Sequence, residues 1–279
     1  MGKSTFGSLA LVISLVSSSS IAEEAPSGPH GGEGRWALVF NDQFNGNRLN
    51  LKKWTTCYWW NKNGCTNLGN NELQWYRPEN VSVAGGLLRL EARPQKVRGH
   101  KNAIFNYTSG MVTTGRDYDE LPNPSRARFL YGHFEIRAKA PIGQGLWSAI
   151  WLLPESRESR PEIDVMEVLG HTPDQLRMHF HYLTDKGEPQ SPGETVKTAD
   201  LTADWHLYGL SWEPGLIVWY LDGVEKWRFS DKSLVPDEEM YLLINLAVGG
   251  DWPGPPDETT KFPAEYLIDY VRVWQRVEG

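Results

Sequence analysis

After Arg35 the chain has almost no sustained helical periodicity. Apolar and polar residues alternate in short runs, broken by Gly, Pro and Asp-Gly. Gly86 to Ala92 alternates. So does Gly132 to Ala138, with Phe134, Ile136 and Ala138 on one side and His133, Glu135 and Arg137 on the other. Leu216 to Leu221 meets Asp222-Gly223, a two-residue hairpin signal, and Val224 to Phe229 returns. Met240 to Val248 is apolar on both faces, as a central strand requires. Tyr266 to Trp274 alternates again. Many short strands joined by turns predict an all-β fold, an antiparallel β-sandwich or barrel. Hydrophobic residues form 40% of the 279, enough for a sizeable core. No internal repeat or linker divides the stretch 35–279, which reads as one domain.

Residues 1–22 read as an export signal. Lys3 precedes the apolar stretch Leu9 to Val16, and Ser20-Ile21-Ala22 offers a cleavage site. The stretch is shorter than the about 20 residues of a membrane span, so a secreted protein, extracellular or periplasmic, is expected. Residues 23–34, rich in Pro and Gly, are expected to be a flexible leader. Cys57 and Cys65 flank a short loop and can either pair or remain thiols; two cysteines exclude a disulfide-dense scaffold. A formal charge of −7 gives no footprint for nucleic acid or an anionic membrane. A monomer is expected. The 13 Trp exceed what a core needs and suit a surface that grips sugar rings.

Pro161 to Gly170, PEIDVMEVLG, sets Glu162, Asp164 and Glu167 within six residues. On a plain strand Glu162 and Asp164 share a face, Met166 joins them and Glu167 points away. One extra residue, a β-bulge, would turn Glu167 onto the face of the other two. Like charges this close repel, so they need a reason. Glycosidic bond cleavage is one. Retaining hydrolysis uses two carboxyl groups about 5–5.5 Å apart, and a third between them can share protons. A solvated acidic face or a calcium ligand set remains open on spacing alone.

The segment resembles the signature of the family-sixteen glycoside hydrolases, E-[IL]-D-x-x-E. Trp36 to Phe44, Gly69 to Tyr76, Tyr107 to Gly110, Tyr131 to Ile136, Gly143 to Trp151, Leu246 to Asp257 and Ile268 to Gln275 are also similar to family blocks, in family order. The series favours the bulged, laminarinase-like branch. The resemblance implies a concanavalin A-like jelly roll with a substrate cleft on its concave face. It implies Glu162 as nucleophile, Glu167 as general acid/base and Asp164 as the helper that tunes their protonation. A secreted retaining enzyme cutting internal β-1,3 or mixed β-1,3-1,4 glucan linkages is the leading expectation. Agar or carrageenan hydrolysis, transglycosylation and non-catalytic β-glucan binding are the alternatives. Galactan enzymes would want basic pockets, and only Arg157 and Arg160 lie beside the signature.

Further residues carry expectations of their own. Trp147 and Trp151 share a strand face with Ala149 and would stack against sugar, with core packing as the alternative. Asn71, in GNNELQ, would bind hydroxyls, although Asn is also a turn residue. Trp252, on a Gly/Pro-rich loop, would line the cleft. His179 and His181 form H-x-H; zinc is disfavoured by the absence of a supporting motif. By resemblance His181 fits the family's histidine near the carboxylates better than His179. No cofactor is required for the chemistry. Asp269 corresponds to a ligand of a structural calcium often found in the family, but Gln43 stands where many relatives carry an acid, and an amide is a weaker ligand. Met111 stands where laminarinase-type chains carry a basic residue. Asn80 and Asn106 open glycosylation sequons.

Overall fold

A computed structural model describes residues 27–32, 34–60, 66–120 and 122–277. The expected export signal lies outside the described residues. Two antiparallel sheets face each other. The back sheet has eight strands, in the order 224–229, 216–221, 206–213, 132–139, 264–276, 87–92 and 81–84, with 36–42 also paired to 264–276. The cleft sheet has seven, in the order 189–190, 175–183, 162–169, 146–154, 240–248 and 111–113, with 193–197 also paired to 175–183. The alternation predicts such an antiparallel sandwich, and the resemblance implies its jelly-roll form. Asp222 and Gly223, at φ of 53° and 76°, turn the expected hairpin. No helix among the described residues is long and apolar enough to cross a membrane.

Inward residues of both sheets form one core. Phe134, Ile136 and Ala138 meet Ile150, Leu152, Leu242 and Ile244 there. A second cluster lies under the cleft, where Tyr58, Tyr76, Met111, Trp151 and Leu243 pack together. Met111 is fully buried in it.

The outer face of the strand Gly132–Lys139 departs from expectation. His133 and Glu135 are 1% and 0% exposed. The cover comes from the N-terminal side. Pro29 is buried, and His30 reaches Glu135 through its backbone N–H and, at 2.8 Å, its Nδ1. Trp36 packs edge-on against His133. Residues 27–32, expected to be part of a flexible leader, therefore seat on the back sheet. A carboxylate this buried needs hydrogen-bond donors, and the leader supplies them. Cys57 is disulfide-bonded; Cys65 lies outside the described residues. Asn80 is also buried, donating to Glu91 O at 2.7 Å and to Thr108, so a glycan cannot reach that sequon.

The acidic strand, Glu162–Leu169, carries the bulge. Against 175–183, Asp164 lies opposite His179 but Glu167 opposite Arg177. Against 146–154, Met166 faces Ile150 and Asp164 faces Trp151, so Val165 is the extra residue. Val165 and Met166 both enter the core, with Ile163 and Val168. Glu167 is thereby turned to the side of Glu162 and Asp164. Bulges leave a backbone group without its ladder partner, and here the opposite sheet helps. Trp219, fully buried on the back sheet, donates its Nε1–H to the Asp164 carbonyl at 2.8 Å. Tyr266 Oη lies 3.9 Å from Met166 Sδ.

Replacing Trp219 with Phe should keep most of the apolar contact but leave the Asp164 carbonyl unpaired. The expected cost is about 1–3 kcal/mol, read as a lowered urea midpoint at unchanged slope.

Candidate active site

The acidic strand lies in the middle of the cleft sheet, and its outward carboxyls floor a cleft of about 810 Å³. Glu162, Asp164 and Glu167 all line it, with Trp147, Trp151, His179, His181 and Trp252. Asp164 and Glu167 are buried, at 4% and 6% exposure.

Across the ladder His181 lies opposite Glu162, His179 opposite Asp164 and Arg177 opposite Glu167. His181 Nε2 lies 2.9 Å from Asp164 Oδ2, and its Nδ1 lies 2.6 Å from Ser191 Oγ. His179 Nδ1 lies 2.7 Å from Glu167 Oε2. The H-x-H spacing puts both rings on the cleft side of one strand, each beside a different carboxyl. His179, ranked below His181 in the sequence, is thus the partner of Glu167. Asp164, His179 and His181 bring possible ligand atoms within 4.8 Å of one another. Each histidine already has a carboxylate partner, so hydrogen bonding accounts for the arrangement.

Burial and mutual repulsion control protonation. Burial, then the charges of Asp164 and Glu167, raise Glu162 well above the ordinary carboxyl range; a hydrogen bond with Asp164 adds to this and Arg160 opposes it. Burial and Asp164 push Glu167 up to about 7, against the lowering effect of His179. The Glu167 hydrogen bond in turn raises His179. Such a cluster holds at least one proton at neutral pH, because three close charges cannot all be ionised cheaply.

The aromatic residues divide by role. Trp147 is half-buried, packs edge-on with Trp252 at 5.2 Å and keeps a buried Nε1–H without a protein partner. Trp151 is 8% exposed and donates to Asn245 Oδ1 at 2.8 Å, so it presents an edge of the floor. Trp252 is 41% exposed, between His179 and the Arg177 guanidinium. Its loop is seated by Gly250, at φ of 111°, where a side chain would strike the Asn70 carbonyl. Tyr58 and Trp60 stack at 4.1 Å and, with Trp59, wall the cleft. The Tyr-Trp-Trp run was the signal for them in the sequence.

Asn71 is corrected. It caps a short 3-10 turn in the left-handed conformation and spends its amide on Asp251 at 3.0 Å, outside the cleft lining. Asn67, Asn70 and Glu72 line the cleft instead. Burial pushes Glu72 up to about 7 although Gln74, Asn70 and the Asn67 N–H donate to it.

Asp269 lies on the back sheet in a second cavity with Gln43, Arg137 and Arg272. Its Oδ2 is 2.6 Å from Arg137 Nη1. Gln43 Oε1 accepts from Asn45 at 3.1 Å. A divalent cation needs several free oxygens and repels a guanidinium. The residues present do not fit calcium.

Comparisons with known proteins agree with this geometry. The family model "Glycosyl hydrolases family 16" matches residues 94–272. A beta-glucanase of Rhodothermus marinus is 33% identical over 92% of this chain and 90% of its own length. Endo-1,3-1,4-beta-glycanase EglC of Rhizobium meliloti is 35% identical over 85% of this chain, which spans 51% of that protein. Among solved structures, the endo-beta-1,3-glucanase from Pyrococcus furiosus superposes with a TM-score of 0.78, at 32% identity over 91% of this chain and 100% of that one. The laminarinase catalytic domain from Thermotoga maritima gives 0.76, at 32% identity over 88% and 100%. With the family model across most of the folded region and relatives of this identity along nearly all of it, the chain belongs to family 16 of the glycosyl hydrolases.

Proposed function

We propose that the protein is a secreted, monomeric, endo-acting β-glucan hydrolase that cuts β-1,3 or mixed β-1,3-1,4 linkages with retention. The observation that carries this is the bulge, which sets Glu162, Asp164 and Glu167 together in the cleft of a family-16 chain. The relatives add the substrate class: the similar proteins above are glucanases, a laminarinase and an endo-1,3-1,4-beta-glycanase. The signal-like sequence of residues 1–22 supports secretion.

In the first step Glu162 carboxylate attacks the anomeric carbon while Glu167 gives its proton to the departing glycosidic oxygen. A covalent glycosyl ester forms and the bond to the leaving sugar breaks. Water then gives a proton to Glu167 and attacks the same carbon, releasing Glu162. Asp164, hydrogen-bonded to Glu162, holds the nucleophile in place, and the Arg160 charge favours the ionised form of Glu162. His181 orients Asp164. His179 holds Glu167 and keeps its proton from being bound too tightly. Trp147, Trp151 and Trp252 supply the sugar-facing surface.

Purified protein should release oligomers from laminarin or barley glucan, separated by size. Glu162→Gln should lower kcat by at least about 10³-fold with near-native melting. Turnover close to wild type would refute the nucleophile assignment. Products from agarose or κ-carrageenan alone would keep the chemistry and move the substrate.

The kcat/KM profile should fall on its alkaline side near the Glu167 value of about 7, because the general acid must be protonated. His179 lowers that value, so His179→Phe should move the alkaline limb upward in pH. Glu167 is raised from 4.5 to about 7 in the folded state, so the folded state holds more protons than the unfolded chain between those values. Stability therefore falls as pH rises through that window. Glu167→Gln removes the effect. Its gain over wild type should be absent below pH 4.5 and reach about 3 kcal/mol above pH 7, measured by urea titration at several pH values.

Arg137 occupies the Asp269 carboxylate, so the protein needs no structural calcium in this reading. EDTA or added calcium should leave Tm unchanged within about 1 °C. A clear rise with calcium would overturn it.

A further inference from the structure

The turn between strands 146–154 and 162–169 delivers Arg157, Glu158, Ser159 and Arg160 to the cleft lining, at its Glu162 end. A neutral glucan gives two guanidinium groups nothing charged to bind. Neighbouring arginines are neutralised: Arg116 pairs with Glu155 and Arg128 with Glu239. Arg177, near Trp252, donates through Nη2 to Thr172 and Gln175 and lies over the indole face, with its Nη1 unpartnered. Arg157 and Arg160 differ. Among the described residues neither has a carboxylate within ion-pair distance, and Glu158, exposed in the same turn, pairs with neither. Arg160 Nε is buried without a hydrogen-bond partner, a state that buried donors rarely keep without a purpose.

The backbone also singles out this corner. Arg157 has a φ of 71°, left-handed for a residue with a side chain, and its N–H bonds the Pro154 carbonyl at 3.1 Å. Strain of this kind persists where the surroundings impose it and is common at ligand sites. The whole chain carries −7 and the rest of the cleft lining is acidic, so a basic pair at one corner of it runs against the general charge. Guanidinium groups match carboxylate and sulfate oxygens through paired N–H donors.

We propose that Arg157 and Arg160 form an anion-reading corner of the cleft, and that the favoured glucan carries carboxylate or sulfate substituents. This rests on the glucan-hydrolase reading above. The substituent seats beside the sugar bound at Glu162, while the aromatic wall of Tyr58, Trp59 and Trp60 holds the uncharged rings. Arg160 serves twice, since its charge also reaches Glu162.

The test compares initial rates on laminarin, carboxymethyl-curdlan and curdlan sulfate, at low and high sodium chloride. Wild type should show a higher kcat/KM on one charged polymer than on laminarin, and the favoured polymer tells carboxylate from sulfate. Arg157→Gln should lower the charged-to-neutral kcat/KM ratio about tenfold through KM, equivalent to about 1.4 kcal/mol, and salt should lower it in wild type. A ratio unchanged in Arg157→Gln overturns the proposal. So does an Arg160→Gln variant that only shifts the pH profile, equally on both polymers, since Arg160 would then act on Glu162 alone. Absence of turnover on every polymer would refute the hydrolase reading instead. Retardation of wild type and Arg157→Gln in gels containing carboxymethyl-curdlan or native curdlan then decides the corner by itself. Stronger retardation by the charged polymer, lost in the variant, supports it, and equal retardation overturns it.

Discussion

One unmatched residue organises this molecule. Val165 lies in a strand whose neighbours have no counterpart for it, and every side chain after it changes face. Without that step Met166 would project into the cleft and Glu167 into the core, where an unpaired carboxylate is prohibitive. With it, four apolar residues face inward and three carboxyls face outward along one short strand. The opposite sheet shares in holding the irregularity, because the Trp219 indole reaches across the core to the Asp164 carbonyl. The core and the catalytic geometry are therefore one construction, and a packing change on the back sheet can reach the site.

The fold was legible because alternation and turn chemistry are local. The Asp222-Gly223 hairpin, the doubly apolar strand at 240–248 and the acidic strand all declare themselves within a few residues. The bulge was legible only as a condition that chemistry would impose on a strand bearing Glu167. Contacts between distant segments were not legible. Asn71 and Asn70 are neighbours of the same type, and what separates them is that Asp251, far away in sequence, claims one amide. His179 and His181 share a face, so spacing could not say which carboxyl each would meet. Glu72 was visible as a residue, but its burial, and so its raised proton affinity, comes only with tertiary packing.

The back sheet shows the same limit from another side. Its central strand reads as amphipathic, yet both faces are covered. The outer cover comes from residues whose Pro/Gly composition suggests freedom. Composition reports the entropy that a segment loses on ordering, whereas the gain here comes from a carboxylate and an aromatic surface elsewhere. At Asp269 the substitution is chemical. A guanidinium fixed to the next strand supplies the positive charge that the resemblance led one to seek in a metal ion, and a tethered charge cannot diffuse away.

The seat of His30 on Glu135 puts residues before Arg35 inside the packed structure. The domain boundary drawn from strand pattern alone, at Arg35, cuts inside the packed structure. Trimming the chain there would remove Pro29 and His30 and leave the Glu135 carboxylate without the donors that His30 supplies. Affinity tags and shortened versions belong upstream of Pro29, because the segment that looks most dispensable is part of the wall.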